Sequence, residues 1–398
     1  MELFVGDPRL KKVLTMALYL FWFLFLAAIY SYFLYPIALK LLVLLQAPRQ
    51  FLSGAKADAV EPISMSLIVT AFNEEARIRE KIENSLALNF DKARLEIIVA
   101  SDCSEDRTDL IVKEYEKCGV HLVRAHERLG KENAQLAAIK IARGDVLVFS
   151  DVATKIPEDA LLALEKYFLD PSIGAVSSED RFISQDGIVA GEGAYVRYEM
   201  WLRKLESQLS GLIGLSGSFF AARKIVCQEW DIHCPSDFNT ALNTAKAGLQ
   251  SVSAPDVLGY YQDLKDASKE YQRKVRTVIR GMTGLSRHKE VMSFNLFGVF
   301  AFQVISHKLM RWLAPWFFVG LFIINAMTVR DGVFYALIFV GQLIFYGVAI
   351  GAHFVPQLRD NSAIKIVYFF VQVNVALLDA SIKFLSGKRM TTWKPSAR

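Results

Sequence analysis

The stretch GKENAQLAAIKIARGDVLVFSD, residues 130–151, decides the fold. Its first part, Glu132–Arg143, places alanines and Leu136, Ile139 and Ile141 at helical spacing behind a glycine and predicts a helix. Its second part, Asp145–Ser150, is a short apolar run ending on a carboxylate, Asp151, and predicts a buried strand. Upstream the same alternation repeats. Ser64–Ala71 (SMSLIVTA), Leu95–Ser101 (LEIIVAS) and His121–Ala125 read as strands, and Asn73–Ala87 and Thr108–Gly119 as helices. Strands alternating with helices predict an α/β domain over residues 58–288, a parallel sheet with helices on both faces. Ligands of such sheets lie beyond the carboxyl ends of the strands. Those ends carry Thr70-Ala71-Phe72-Asn73-Glu74, Ser101-Asp102 and Ser150-Asp151, so polar and acidic groups converge on one edge.

The flanks differ. From Val13 to Leu39 there is no charged residue, a run longer than the roughly 20 residues that cross a bilayer. Ala314–Val329, Val333–Val355 and Ile364–Leu385 are three more apolar stretches. Phe294–Trp312 mixes Phe, Leu and Trp with His307, Lys308 and Arg311, the pattern of a helix lying at the headgroup level. The chain therefore reads as an N-terminal anchor (1–50), the α/β domain (58–288), an interfacial helix (293–312), C-terminal membrane helices (313–387) and a basic tail (388–398). The terminal segments explain a hydrophobic content of 53% and a mean hydropathy of +0.27, both high for a soluble enzyme. Lys and Arg flank the first span evenly, so the loop-charge rule fixes no orientation; Lys388, Arg389, Lys394 and Arg398 favour a cytosolic tail, whereas three C-terminal spans would carry it outside if the middle domain is inside, unless the Phe294 segment dips into the bilayer or one apolar run does not cross. A net charge of +5 without a basic stripe argues against nucleic acid as a partner. The four cysteines form no C-x-x-C pair, which argues against a zinc ribbon or redox motif and fits reduced thiols in a cytosolic domain.

VTAFNEE (69–75), EIIVASDCSEDRT (96–108) and residues 130–151 stand in an order and at spacings that resemble the nucleotide-binding half of family 2 glycosyltransferases. The resemblance implies a GT-A (Rossmann-like) domain between N- and C-terminal membrane helices, as in membrane-bound polysaccharide synthases. It implies inverting transfer from a nucleotide-sugar, a UDP-sugar by expectation, to a glycan or polyprenyl-linked acceptor delivered by the bilayer. The enzyme would sit in the cell (inner) membrane as a multi-pass protein with its catalytic domain in the cytosol.

Residue by residue, the resemblance places Thr70, Ala71, Asn73, Glu74 and Asp102 around the base and ribose. Glu74 equally suits the first turn of a helix, where the dipole favours an acid. Lys131, behind Gly130 at a helix start, suits a phosphate, although a solvated lysine reads the same way. Asp151 would hold Mg²⁺ or Mn²⁺ against the diphosphate. The family's D-x-D pattern is incomplete, because the run is Asp151-Val152-Ala153. Asp237, in Cys234-Pro235-Ser236-Asp237-Phe238, is the expected base. Ser236 replaces the first acid of the family's pair, and an N-cap role for Asp237 is the alternative. Gly217 and Ser218, in a small-residue segment, and Arg273 are assigned to the donor and acceptor pocket. Arg276 fits the arginine of the Q-x-x-R-W motif, yet Thr277 stands in place of its tryptophan. That absence counts against a processive synthase, the nearest alternative. The acids missing at 153 and 236 leave an inactive membrane partner as a third reading.

Overall fold

The computed structural model describes residues 8–45, 62–183, 194–262 and 267–390. The basic tail beyond 390 and the expected start of the α/β domain at 58 lie outside them. The chain divides into two compact units, with boundaries at Ala38/Leu39 and Gln303/Val304.

Helix α1 (Pro8–Ile29) passes through a π-helical turn, Tyr30–Leu34, into α2 (Tyr35–Leu45). The second unit is built on one sheet. Its strands are β1 (Met65–Ala71), β2 (Leu95–Ser101), β3 (Val120–Arg124), β4 (Val146–Asp151), β5 (Ile173–Ile183), β6 (Phe219–Arg223) and β7 (Gln250–Gln262). They lie in the order β3-β2-β1-β4-β6-β5-β7. Helices α3 (Ile78–Leu86), α4 (Thr108–Glu114), α5 (Lys131–Ile141), α6 (Ala160–Phe168), α7 (Ala194–Leu209), α8 (Ser236–Lys246) and α9 (Ala267–Arg287) accompany it.

The four strands that the sequence predicted are parallel as expected, but three further strands complete the sheet and make it mixed. β1, β2, β3 and β4 run parallel, whereas β6 is antiparallel to both β4 and β5. A five-residue apolar run such as FFAAR carries no sign of direction. Its reversal has a consequence for the site. Phe219, at the start of β6, pairs with Ser150 near the end of β4, so the segment just before β6 arrives at the ligand edge.

Alternating strand residues fill two cores, as a period of two requires. Leu67, Val69 and Val148 pack with Ile82, Leu164 and Phe168 on one face. Ile68, Phe149 and Phe220 pack with Ala138 and Trp230 on the other. There Phe149 stacks on Phe220 at 4.8 Å and on Trp230 at 5.2 Å between ring centroids. Truncating such a fully buried ring costs about 3–5 kcal/mol.

Helix α10 (Phe294–Gln303), kinked at Gly298, continues through a π-helical turn, Val304–Leu309, into α11 (Met310–Thr328). The segment expected to lie at the interface is thus the first part of one helical run. α12 (Val333–Phe354) and α13 (Ser362–Leu385) follow. In the first unit Phe21, Ala28 and Leu321 form a small core, and the Trp316 indole N–H donates to Ser381 Oγ at 2.9 Å. Many large apolar side chains there point outward, among them Phe23, Leu337, Ile344 and Leu385. Such a surface suits lipid rather than water. Thr15–Leu45, Phe294–Thr328, Val333–Phe354 and Ser362–Leu385 are long and apolar enough to cross a membrane.

Candidate active site

β1 and β2 end side by side, Ala71 opposite Ser101. The Asp102 N–H donates to the Ala71 carbonyl at 2.9 Å, tying the two strand-end turns together. Asp102 is wholly buried. Its Oδ1 accepts the Gly130 N–H at 3.1 Å, while Oδ2 has no hydrogen-bond partner among the described residues. Burial pushes its carboxyl above the ordinary range, against the pull of that N–H. An unmet buried acceptor is costly, and this one is suited to an N–H or O–H brought by a ligand. Gly130 reaches Asp102 with φ +112°, a conformation that glycine adopts without strain.

Thr70 is buried beside this edge, and its Oγ1 is also unpartnered among the described residues. Asn73 takes φ +51° and bonds the facing turn, its N–H donating to Ser104 Oγ at 3.2 Å. Glu74 does not open a helix, because α3 begins only at Ile78. Its N–H donates to Thr108 Oγ1 at 2.8 Å, and its carboxylate pairs with Arg77 at 2.6 Å. Side-chain bonds from the second turn thus hold residues 73–75 out of the helix that the sequence predicted to start at 73.

Lys131, the first residue of α5, is nearly buried. Its Nζ donates to Asp151 Oδ1 at 2.5 Å and to the Gly217 carbonyl at 2.9 Å. The Asp151 N–H in turn donates to the Ser218 carbonyl at 2.9 Å. The segment before β6 is therefore fastened to β4 and to α5 at once. A methyl group placed on Gly217 would lie 3.5 Å from Asp237 Oδ2, so the third carboxylate stands at the same loop. Asp102, Asp151 and Asp237 are thereby linked through residues 130–131 and 217.

Asp237 is the second residue of α8. Pro235 holds the cap position and makes no side-chain cap bond, so the N-cap alternative for Asp237 is set aside. The start of α8 is held from α5: Glu132 Oε1 accepts the Ser236 N–H at 3.2 Å. Glu132 also pairs with Arg280 of α9 at 2.6 Å, with both side chains deeply buried. A buried acid, Glu132, thus lies beside the backbone of Ser236. Arg273 and Arg276 lie on the same helix as Arg280. Burial, then the charges of Arg280 and Arg273, pushes the Arg276 guanidinium pKa down. Burial pulls the Arg280 guanidinium down, but the charge and hydrogen bond of Glu132, with the nearby charge of Asp237, raise it overall.

Three residues of this neighbourhood carry no signal in the sequence, Glu132, Lys81 and Asp180, whereas Arg280 belongs to the basic segment that occupies the place of the Q-x-x-R-W motif. Asp180, on β5, accepts from Ser216 Oγ at 2.7 Å and from Ser218 Oγ at 2.6 Å. Burial first, and the charge of Asp151 to a lesser degree, raises its carboxyl. Lys81, on α3, donates to Ser150 Oγ at 2.7 Å and to the Thr154 carbonyl at 2.6 Å.

A divalent cation can be tested against this donor set. Among the described residues no group of three or more His, Cys, Asp or Glu side chains is arranged to hold a metal. Asp151 is 26% exposed, with one oxygen on Lys131 and the other open. One accessible carboxylate, completed by phosphate oxygens and water, is how Mg²⁺-type ions bind at diphosphates. The residues fit a cation that arrives with the nucleotide.

A mixed α/β sheet whose strand edge gathers a buried carboxylate, a lysine at a helix start and a partly exposed carboxylate beside it has the architecture of the GT-A class. Residues 66–229 match the model of the family described as Glycosyl transferase family 2. The chain carries a Glycosyl transferase family 2 domain. The mannosyltransferase PcManGT from Pyrobaculum calidifontis, solved with GDP-Man and Mn²⁺, shares the fold over 93% of this chain and 99% of its own. The TM-score is 0.71 at 21% sequence identity. Poly-beta-1,6-N-acetyl-D-glucosamine synthase of Staphylococcus aureus is 30% identical over 182 residues, 44% of this chain and 43% of that protein. Beta-monoglucosyldiacylglycerol synthase of Trichormus variabilis is 26% identical over 176 residues, 42% of this chain and 38% of that one. The match spans less than half the length of these relatives.

Proposed function

We propose that the protein is an inverting glycosyltransferase. It moves a sugar from a UDP-sugar to a glycan or lipid-linked acceptor presented at the membrane, in extracellular polysaccharide biosynthesis. The observation that carries this reading is the run of hydrogen bonds joining Asp102, Gly130, Lys131, Asp151 and Gly217 at one strand edge, with the Asp237 carboxylate beside Gly217. Asp102 Oδ2 takes an N–H of the base, and the 70–74 turn borders the ribose. Lys131 and the α9 arginines face the diphosphate; a planar guanidinium suits two phosphate oxygens at once. Asp237 accepts the proton of the acceptor hydroxyl. That oxygen then bonds the anomeric carbon as the carbon–oxygen bond to the diphosphate breaks and its electron pair leaves with the nucleotide. A divalent cation, Mg²⁺ or Mn²⁺, held at Asp151 together with the diphosphate would offset charge on the departing group. The catalytic domain faces the cytosol in this reading, where nucleotide-sugars are made.

A second reading, processive polymerisation, draws support from the polymer-synthase name of the staphylococcal relatives. Thr277, in the place of the family's tryptophan, supports single transfer. The test is a donor panel (UDP-glucose, UDP-galactose, UDP-N-acetylhexosamines and GDP-mannose) supplied to membranes holding the wild type or Asp237→Asn. Transfer of one UDP-linked sugar by the wild type alone is expected. Transfer from GDP-mannose only would overturn the donor assignment, and long polymer from a single donor would favour the second reading.

A further inference from the structure

The turn that carries Asp151 is short of one acid, Ala153 standing where the D-x-D pattern has its second carboxylate. Yet it is not a loose turn. Lys81 reaches it from α3 and grips both flanks of Asp151, Ser150 through Oγ at 2.7 Å and Thr154 through its carbonyl at 2.6 Å. One helical turn later Asn84 holds the continuation. Its Nδ2 donates to the Ile156 carbonyl at 2.8 Å, and its Oδ1 accepts the Ile156 N–H at 2.9 Å. α3 thus splints residues 150–156 through side chains three apart, which share one helix face. Within the turn, the Thr154 N–H donates back to the Asp151 carbonyl at 3.1 Å.

Lys81 is an expensive way to hold a turn. It is 3% exposed, and no carboxylate lies within ion-pair distance of it among the described residues, its attraction to Asp151 acting over a longer range. Burying an ammonium without a contact partner opposes folding by several kcal/mol in general. Burial accordingly pushes its pKa down to about 7. A neutral side chain would fold at lower cost, so the charge and the donors have another use.

We propose that Lys81 is a positioning residue for the diphosphate and its cation: by pinning Ser150 and Thr154 it fixes the direction of the Asp151 carboxylate. It thereby supplies from a helix the rigidity that the run 151–153 lacks. This rests on the reading of Asp151 as the cation-side carboxylate.

The test is calorimetric binding of UDP, and in a second arm GDP, to the purified full chain with and without Mn²⁺. Direct Mn²⁺ binding is followed in parallel by electron paramagnetic resonance, and thermal unfolding checks every variant. Lys81→Gln is expected to unfold within a few degrees of wild type while losing tenfold or more in Mn²⁺-dependent nucleotide affinity. Its Mn²⁺-free affinity should change less than threefold. Should Lys81→Gln not fold, Lys81→Arg is read instead; it keeps the charge, but its larger planar guanidinium does not fit the place of the compact ammonium between Ser150 and Thr154, and the same loss is expected. Asp151→Asn, measured beside it, separates the two ideas. If Asp151→Asn loses Mn²⁺-dependent affinity and the folded Lys81 variant does not, the positioning role is wrong. If Asp151→Asn binds Mn²⁺ and nucleotide as wild type does, the reading of Asp151 fails, and the Lys81 proposal with it.

Discussion

Removing Glu132 should damage this protein more than removing any acid on its surface. The Glu132 side chain is 2% exposed and Arg280, its partner at 2.6 Å, is 12% exposed. Glu132→Ala leaves the buried guanidinium without its contact partner, only the more distant charge of Asp237 remaining, and breaking such a pair from one side costs about 3–5 kcal/mol. For a unit of this size each kcal/mol lowers Tm by about 2–4 °C. The expected drop is therefore about 6–20 °C, read by thermal unfolding in detergent. The variant also frees the Ser236 N–H at the start of α8, so transfer should fall even where the protein is folded. Glu132→Met with Arg280→Met removes both charges and the stranded partner, and should be distinctly more stable than Glu132→Ala alone. A Glu132→Ala melt within about 2 °C of wild type, or a double variant as unstable as the singles added together, would refute the argument.

Other outcomes follow from the same geometry. Asp102 has a carboxyl raised by burial, so its ionised form opposes folding, and its contribution to stability is lost as pH rises through the raised folded value. Asp102→Asn should therefore gain on the order of 1 kcal/mol at pH 7.5, lose that advantage near pH 4, and bind the nucleotide more weakly; unfolding curves at both pH values check it. Gly217→Val would fill the space between the loop and the Asp237 carboxylate, which even a methyl group approaches to 3.5 Å. Nucleotide affinity should hold within threefold while transfer falls tenfold or more, as single-turnover rates would show. Chelation with EDTA should abolish transfer, and added Mn²⁺ or Mg²⁺ should restore it.

Much of this was legible in the chain. LEIIVAS, bounded by a charged residue and a turn, became β2 with the same ends, because a buried strand is declared by its own apolar run. Asp102, Lys131 and Asp151 were legible for a related reason: they follow strands or open a helix, and the fold itself brings strand ends together. Lys81 was not. In IREKIENSL it has the look of a solvated helix lysine, and only the packing of α3 beneath the 150–156 turn buries it. Glu132 and Arg280 are 148 positions apart by their numbers, and no local pattern announces that they meet. The direction of β6 was equally hidden, since strand polarity is set by the connection that delivers the strand.

The most direct measurement is nucleotide affinity and transfer rate on the same preparations of Asp102→Asn, Asp151→Asn and Asp237→Asn. If the three carboxylates serve one bound diphosphate sugar, the first two lose affinity, while Asp237→Asn binds as wild type does and transfers at least a hundredfold more slowly. Transfer at the wild-type rate by Asp237→Asn would contradict the proposal.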